Sequence, residues 1–236
     1  MSPDLMVQMT GVIKHFGTLI ALRGIDLEVQ RGHCLGLFGP NGAGKTTVLR
    51  ILATLTRPSS GSVYIAGYNA LREREKIRPL LGVLSHRTFL YGHLTAWENL
   101  HFYGRMLGVP QLSSRIEAVL QLIGLEGPAR QVVRTYSRGM QQRLAIARAI
   151  LHNPSLLLLD EPYTGLDQQA ISRLQDLLLQ LRARGCTIIM STHDLHRALT
   201  LCDAIAIQSR GKIVCISPAI GLDTQELERI YGAHVG

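Results

Sequence analysis

An apolar stretch from His33 to Phe38 runs straight into Gly39-Pro40-Asn41-Gly42-Ala43-Gly44-Lys45-Thr46, and Thr46 to Leu55 behind it has the composition of a helix. A buried strand, a glycine turn and a helix in that order are a phosphate cradle. The glycines let consecutive backbone N–H groups converge on phosphate oxygens at a helix N-terminus, where the peptide dipoles already favour negative charge. Lys45 adds a full cation, and the Thr46 hydroxyl can ligate Mg²⁺. Gly39, Pro40, Asn41, Gly42, Ala43, Gly44, Lys45, Thr46 and Thr47 are the candidate phosphate contacts. The expected class is α/β, with the site at the end of a sheet strand.

Two later strand ends are expected to converge on that edge. Leu156 to Leu159 reads as a fully buried strand and ends in Asp160-Glu161. An acid there can hold the Mg²⁺ shell, so Thr46 and Asp160 form the candidate metal pair. Glu161 is placed to accept a proton from an attacking water. The plain alternative for such a pair is a helix N-cap or a solvated strand end. Thr187 to Met190 is the next buried strand, and Ser191-Thr192-His193-Asp194 follows it. His193 can donate to a terminal phosphate and hold water and Glu161 in register, although a lone histidine is more often structural. Glu161, His193 and Lys45 are the candidate catalytic residues.

Around this frame, Val7 to Ile13, Ile25 to Val29 and Ser62 to Ile65 read as strands, with a turn at Arg57 to Gly61. Residues from 86 to about 150 are expected to form an inserted, mostly helical lobe, closed by a long helix from Ser137. Ile171, Leu174, Leu177, Leu178 and Leu181 keep the spacing of an amphipathic helix ended by Gly185. Ala204 to Ile207 and Lys212 to Ile216 make a terminal hairpin, and a short helical tail occupies 217–236. The main unit is expected over 5–216.

The apolar runs are far shorter than the roughly 20 residues of a membrane span, and no leader pattern precedes Asp4, which predicts a cytoplasmic chain. Cys34, Cys186, Cys202 and Cys215 form no C-x-x-C pair and are expected as core filler. A net charge of +8 invites a nucleic-acid partner. However, Arg72, Arg74, Lys76 and Arg78 alternate with Glu73 and Glu75, and no basic stripe interleaves with aromatics, so none is expected. Anionic lipid or a partner's acidic face accounts for the balance equally well.

Taken in order, these residues resemble the ATP-binding-cassette (ABC) ATPases over roughly Val7 to Ile216. Gly39 to Thr46 is similar to Walker A and Leu156 to Asp160 to Walker B. Tyr136-Ser137-Arg138-Gly139-Met140-Gln141 is similar to the signature, Gly165-Leu166-Asp167 to the D-loop, and His193 to the switch histidine. The resemblance implies a P-loop NTPase fold: a RecA-like core with a mostly parallel sheet, an N-terminal antiparallel β subdomain and an inserted α-helical subdomain. It implies ATP and Mg²⁺, transmembrane permease subunits, and a place at the cytoplasmic face of the membrane. It further implies an ATP-dependent head-to-tail homodimer, in which Ser137 and Gly139 close on the γ-phosphate held by the partner and Asp167 lies at the interface. Phe16 sits where the family stacks an aromatic on adenine; a core aromatic is the alternative.

Two positions depart from the pattern. Arg138 replaces the first signature glycine; its side chain can point away from the phosphate, and Ser137 and Gly139 remain, so function is expected to be kept. His86 stands where the family usually carries a glutamine; imidazole is a poor Mg²⁺ ligand, leaving sensing, water placement or a plain surface residue. Leu84 to Gly108, with L-T-A-W-E-N-L, looks more narrowly like the ATPases of cytochrome c maturation, the haem-exporter type. That implies cargo handled by membrane subunits, with exporters of drugs, lipids or polysaccharide, and soluble ABC ATPases, as the other readings.

Overall fold

The computed structural model describes residues 4–85 and 87–235. The chain opens with β1 (Leu5–Phe16) and β2 (Leu19–Gln30), an antiparallel pair. Along β2, Leu22, Ile25, Leu27 and Val29 are buried while Asp26, Glu28 and Gln30 are exposed. One face therefore covers a core and the other meets water. The chain then enters a second sheet at β3 (Cys34–Phe38) and turns through the glycine loop into α1 (Lys45–Leu52). It returns to the first sheet with β4 (Ser60–Ile65) and β5 (Tyr68–Asn69), giving the order β2-β1-β4-β5.

A short α2 (Arg74–Ile77) leads to β6 (Leu81–Leu84). Next come the helices α3 (Ala96–Met106), α4 (Leu112–Leu122) and α5 (Arg138–Ile150), then β7 (Leu156–Asp160), α6 (Gln168–Ala183) and β8 (Thr187–Ser191). The chain ends with α7 (Leu195–Leu201), β9 (Ala204–Ser209), β10 (Lys212–Pro218) and α8 (Thr224–Val235). The second sheet has the order β10-β9-β3-β8-β7-β6, parallel except for β10.

Every residue of β3, β7 and β8 is buried, as a parallel strand covered on both faces must be. The faces alternate. Leu157, Leu159, Ile188 and Met190 join the core shared with α3 to α8. Leu156, Leu158, Ile189 and Leu37 join the one beneath α1 and the antiparallel sheet. Fully burying one leucine contributes about 1.5–3 kcal/mol, so the unbroken Leu run has its place only on a strand covered on both faces.

The helical lobe is tied by named contacts. At α3, Thr95 Oγ1 accepts from the Glu98 amide at 3.1 Å and Glu98 Oε2 accepts from the Thr95 amide at 2.8 Å, a reciprocal cap. Ser137 caps α5, its Oγ accepting from Met140 N at 3.3 Å. At the other end of α5 the Arg115 guanidinium donates to Leu151 O at 2.9 Å, Ile150 O at 2.8 Å and Asn153 Oδ1 at 2.7 Å.

Several expectations shift. The first helix stops at Leu52 rather than Leu55, because Thr54 takes a left-handed φ of 58° and Leu55 turns outward. Strand β6 was not expected. The boundary expected at 216/217 falls inside β10, and α8 docks on α7 and β9 with Leu227 fully buried. Cys34, Cys186 and Cys202 are buried free thiols and Cys215 is half-buried. Burial raises the Cys186 thiol to about 11. Among the described residues no helix is long and apolar enough to cross a membrane.

Candidate functional site

Gly44, at φ 107°, is the N-cap of α1 and has no side chain to cap it. The free N–H groups of this helix start therefore face the loop that Gly39 to Gly44 form. Lys45 Nζ folds back over the loop and donates to Gly39 O at 2.6 Å and Pro40 O at 3.1 Å. Burial pushes the Lys45 ammonium below its usual range, and the Glu161 and Asp160 carboxylates pull it part-way back.

The acids arrive from β7. Thr46 Oγ1 lies 3.0 Å from Asp160 Oδ2 and 3.2 Å from Oδ1. A hydroxyl and a buried carboxylate facing each other are an all-oxygen donor set, which fits Mg²⁺. Register places Asp160 opposite Ser191 on β8, and Ser191 Oγ donates to Asp160 Oδ1 at 2.7 Å. The Glu161 amide donates to Ser191 O and Oγ, both at 3.1 Å. Glu161 itself takes a left-handed φ of 51°, a conformation unusual outside glycine that turns the chain off the strand end. His193 Nδ1 then meets Glu161 Oε2 at 2.8 Å. The histidine side chain is 82% exposed against 19% for the glutamate, so its second nitrogen is free to reach a ligand from the solvent side.

Ser191 is the residue of this cluster that motif reading passed over. It begins Ser191-Thr192-His193-Asp194, yet its task depends on lying across from Asp160.

The remaining candidates divide between this cluster and the outer surface. Phe16 is 44% exposed, with Lys14 Nζ 4.8 Å from its ring centroid. It lines a cavity of about 300 Å³ together with Asn41 to Thr47, Asp160 and Glu161. A second cavity, about 910 Å³, opens on the other side of the acids and reaches Arg87, Phe89, Arg138 and His193. Asn41, Asp160 and Glu161 line both. Ser137 and Asp167 are exposed helix caps, Asp167 Oδ1 accepting from Ala170 N at 2.8 Å. Neither is among the residues that line these two cavities. Gly139 packs close to Gly165 O, a Cβ there falling 3.1 Å from it, and the Arg138 side chain runs along Gly165. Arg138 also lines the larger cavity. His86 lies outside the described residues.

The family model for ABC transporters matches residues 22–164, from β2 through Walker B and beyond. The chain belongs to the ABC transporter family. The linearmycin resistance ATP-binding protein LnrL of Bacillus subtilis is 34% identical, over 96% of this chain and 72% of that protein. A Nod factor export ATP-binding protein I of Cupriavidus metallidurans is 37% identical over 96% and 77%. The daunorubicin resistance ATP-binding protein DrrA3 of Streptomyces coeruleorubidus is 36% identical over 89% and 67%. Among solved structures, the dimeric ATP-binding cassette MJ0796 bound to ADP and Pi superposes with a TM-score of 0.84 at 30% identity, covering 92% of this chain and all of that one.

The protein is therefore an ABC-type ATPase with the α/β fold of that family. The MJ0796 cassette is a dimer that holds ADP and Pi. Within the family, the L-T-A-W-E-N-L segment has a local structural explanation. Thr95 and Glu98 make the reciprocal cap of α3. Asn99 bonds back to the approaching loop, with Nδ2 donating to Tyr91 O at 3.0 Å and Oδ1 accepting from Tyr91 N at 2.8 Å. His101 stacks on Trp97 at 4.9 Å. These residues shape a loop and need no cargo to explain them.

Proposed function

We propose that the chain is the ATP-hydrolysing subunit of an exporter, peripheral on the cytoplasmic face of the membrane through its permease, and that its cargo is an amphipathic natural product. The observation that carries the catalytic part is the convergence of Lys45, Thr46, Asp160 and Glu161 on one cavity. The loop from Gly39 to Thr47 binds the phosphates, and Lys45 exchanges two backbone carbonyls for phosphate oxygens. Phe16 offers an exposed ring to the adenine. Thr46 and Asp160 would hold Mg²⁺, which would supply positive charge against that of the phosphates. Glu161 accepts the proton of the water that attacks the γ-phosphorus as the β–γ bridge breaks, giving ADP and phosphate. His193 fixes the rotamer of Glu161 and presents its other nitrogen to the terminal phosphate.

The dimer is part of the same reading. Ser137, Gly139 and Asp167 find no nucleotide within their own subunit, and Ser137 starts a helix carrying about half a positive charge at that end. A second copy, head to tail, gives them the partner's γ-phosphate. Glu161→Gln with Mg-ATP tests this by light scattering: a doubled mass supports the clamp, and a monomer at saturating ATP removes it.

On cargo, the linearmycin, daunorubicin and Nod factor relatives support an exporter of drug-like or lipo-oligosaccharide molecules. The haem-exporter reading rests on Leu84 to Gly108, with Tyr136 to Arg143 and Glu161 to Asp167 fitting the same group; capping accounts for Thr95, Glu98 and Asn99 in the first segment, and none of the relatives named above is a haem exporter. Co-purification with the membrane partner separates the two. A haem absorption band would restore the haem reading, whereas ATPase stimulated by amphipathic compounds supports ours.

A further inference from the structure

Gln208 on β9 is fully buried, and neither its amide nitrogen nor its amide oxygen has a hydrogen-bond partner among the described residues. Its strand neighbours on the same face, Ala204 and Ala206, are small and apolar, and Ala206 packs in the core beneath α1. Burying an unpaired amide costs stability that an apolar side chain of the same size would keep. Such a group calls for an explanation.

Its surroundings supply one. Gln208 touches both ends of the phosphate loop. A Cβ on Gly39 would stand 2.0 Å from the main-chain carbonyl O of Gln208, and a Cβ on Gly44 would stand 2.7 Å from its side-chain Nε2. The point near Gly44 is also 2.8 Å from Ala21 O on β2. The hairpin carrying Gln208 is bolted to the same loop: Gly211 N donates to Ala43 O at 3.0 Å, and Gly211 O accepts from Arg23 N at 2.8 Å. Here Lys45 spends its donors on Gly39 O and Pro40 O. Lys45 and the buried Gln208 amide thus contact the same loop.

We propose that Gln208 is a positioning residue for the phosphate loop, whose amide pairs with the backbone around Gly44 and with Ala21 O when nucleotide is held. The unpaired amide raises the free energy of the nucleotide-free protein, and pairing returns it on binding, so Gln208 favours the loaded loop. This rests on the nucleotide reading of the loop.

The test compares wild type with Gln208→Leu and Gln208→Met, using Mg²⁺ with a fluorescent N-methylanthraniloyl ATP and thermal unfolding with and without nucleotide. Expected are higher melting temperatures for both variants without nucleotide, affinity about tenfold weaker, and a smaller stabilisation by ATP. Unchanged affinity in either folded variant overturns the proposal, because the amide then takes no part in binding. Lower melting of both variants without nucleotide also overturns it, since the amide would already be paired in the resting protein. A wild type that binds no nucleotide refutes the loop reading itself and takes this proposal with it. Wild-type binding with unaffected variants refutes only the role of Gln208.

Discussion

The Ser191 hydroxyl stands 2.7 Å from Asp160 Oδ1 and 3.1 Å from the Glu161 amide. One side chain on β8 therefore orients the candidate metal ligand and the backbone of the candidate base together. Ser191→Ala leaves the Asp160 carboxylate, 4% exposed, without that donor. The expected stability loss is about 1–3 kcal/mol, and turnover should fall by roughly tenfold or more. Phosphate release measured against Mg²⁺ concentration checks it; an unchanged Mg²⁺ dependence would detach Ser191 from the metal pair.

Glu161 and His193 should separate chemistry from stability. Glu161→Gln removes the proton acceptor, and hydrolysis should drop by roughly 10²–10⁴-fold with ATP affinity retained. His193→Ala acts on a side chain that is 82% exposed, so the melting temperature should hold while turnover falls. Wild-type hydrolysis in Glu161→Gln would take Glu161 out of its assigned role.

Lys45→Ala should abolish ATP binding, since the loop loses its only full charge while the protein stays folded. The ammonium is partly desolvated, and its removal relieves that cost, so melting without nucleotide should not decline. Titration with a fluorescent ATP analogue reads the first effect and calorimetry the second.

His152 gives a pH dependence unrelated to catalysis. Its Nε2 lies 3.0 Å from Leu81 O, and burial lowers its pKa, with Arg148 and Arg115 adding repulsion. The unfolded chain then binds the proton more readily than the folded one. Stability from this group is complete above the ordinary histidine value of about 6.5 and is lost as pH falls through it towards the lower folded value. His152→Gln should flatten that part of the melting-temperature profile, and parallel wild-type and variant profiles below pH 6.5 would rule the residue out.

Much of the site was legible because its residues sit at the ends of strands with no other place to go. Four leucines before Asp160 read as a central strand from composition alone, and the glycine loop needs only a strand before it and a helix after it. Strand β6 was hidden: Leu81-Gly82-Val83-Leu84 is four residues long with glycine inside, a poor strand by local preference. Gly82 is there for packing, since a Cβ would fall 2.4 Å from Ala149 O on α5. Ser191 was hidden for a related reason, because its task exists only through cross-strand register. The tail gave no periodic signal strong enough to foretell that Leu227 would be sealed in the main core. Local preference fails where a distant backbone makes the demand.

Asn41, Asp160 and Glu161 form a party wall between two hollows, one beside the phosphate loop and one running towards Arg87 and Phe89. A ligand seated in the outer hollow would touch Glu161 as well as Arg87 and Phe89. A group held there and a group held by the phosphate loop would therefore meet the same two carboxylates.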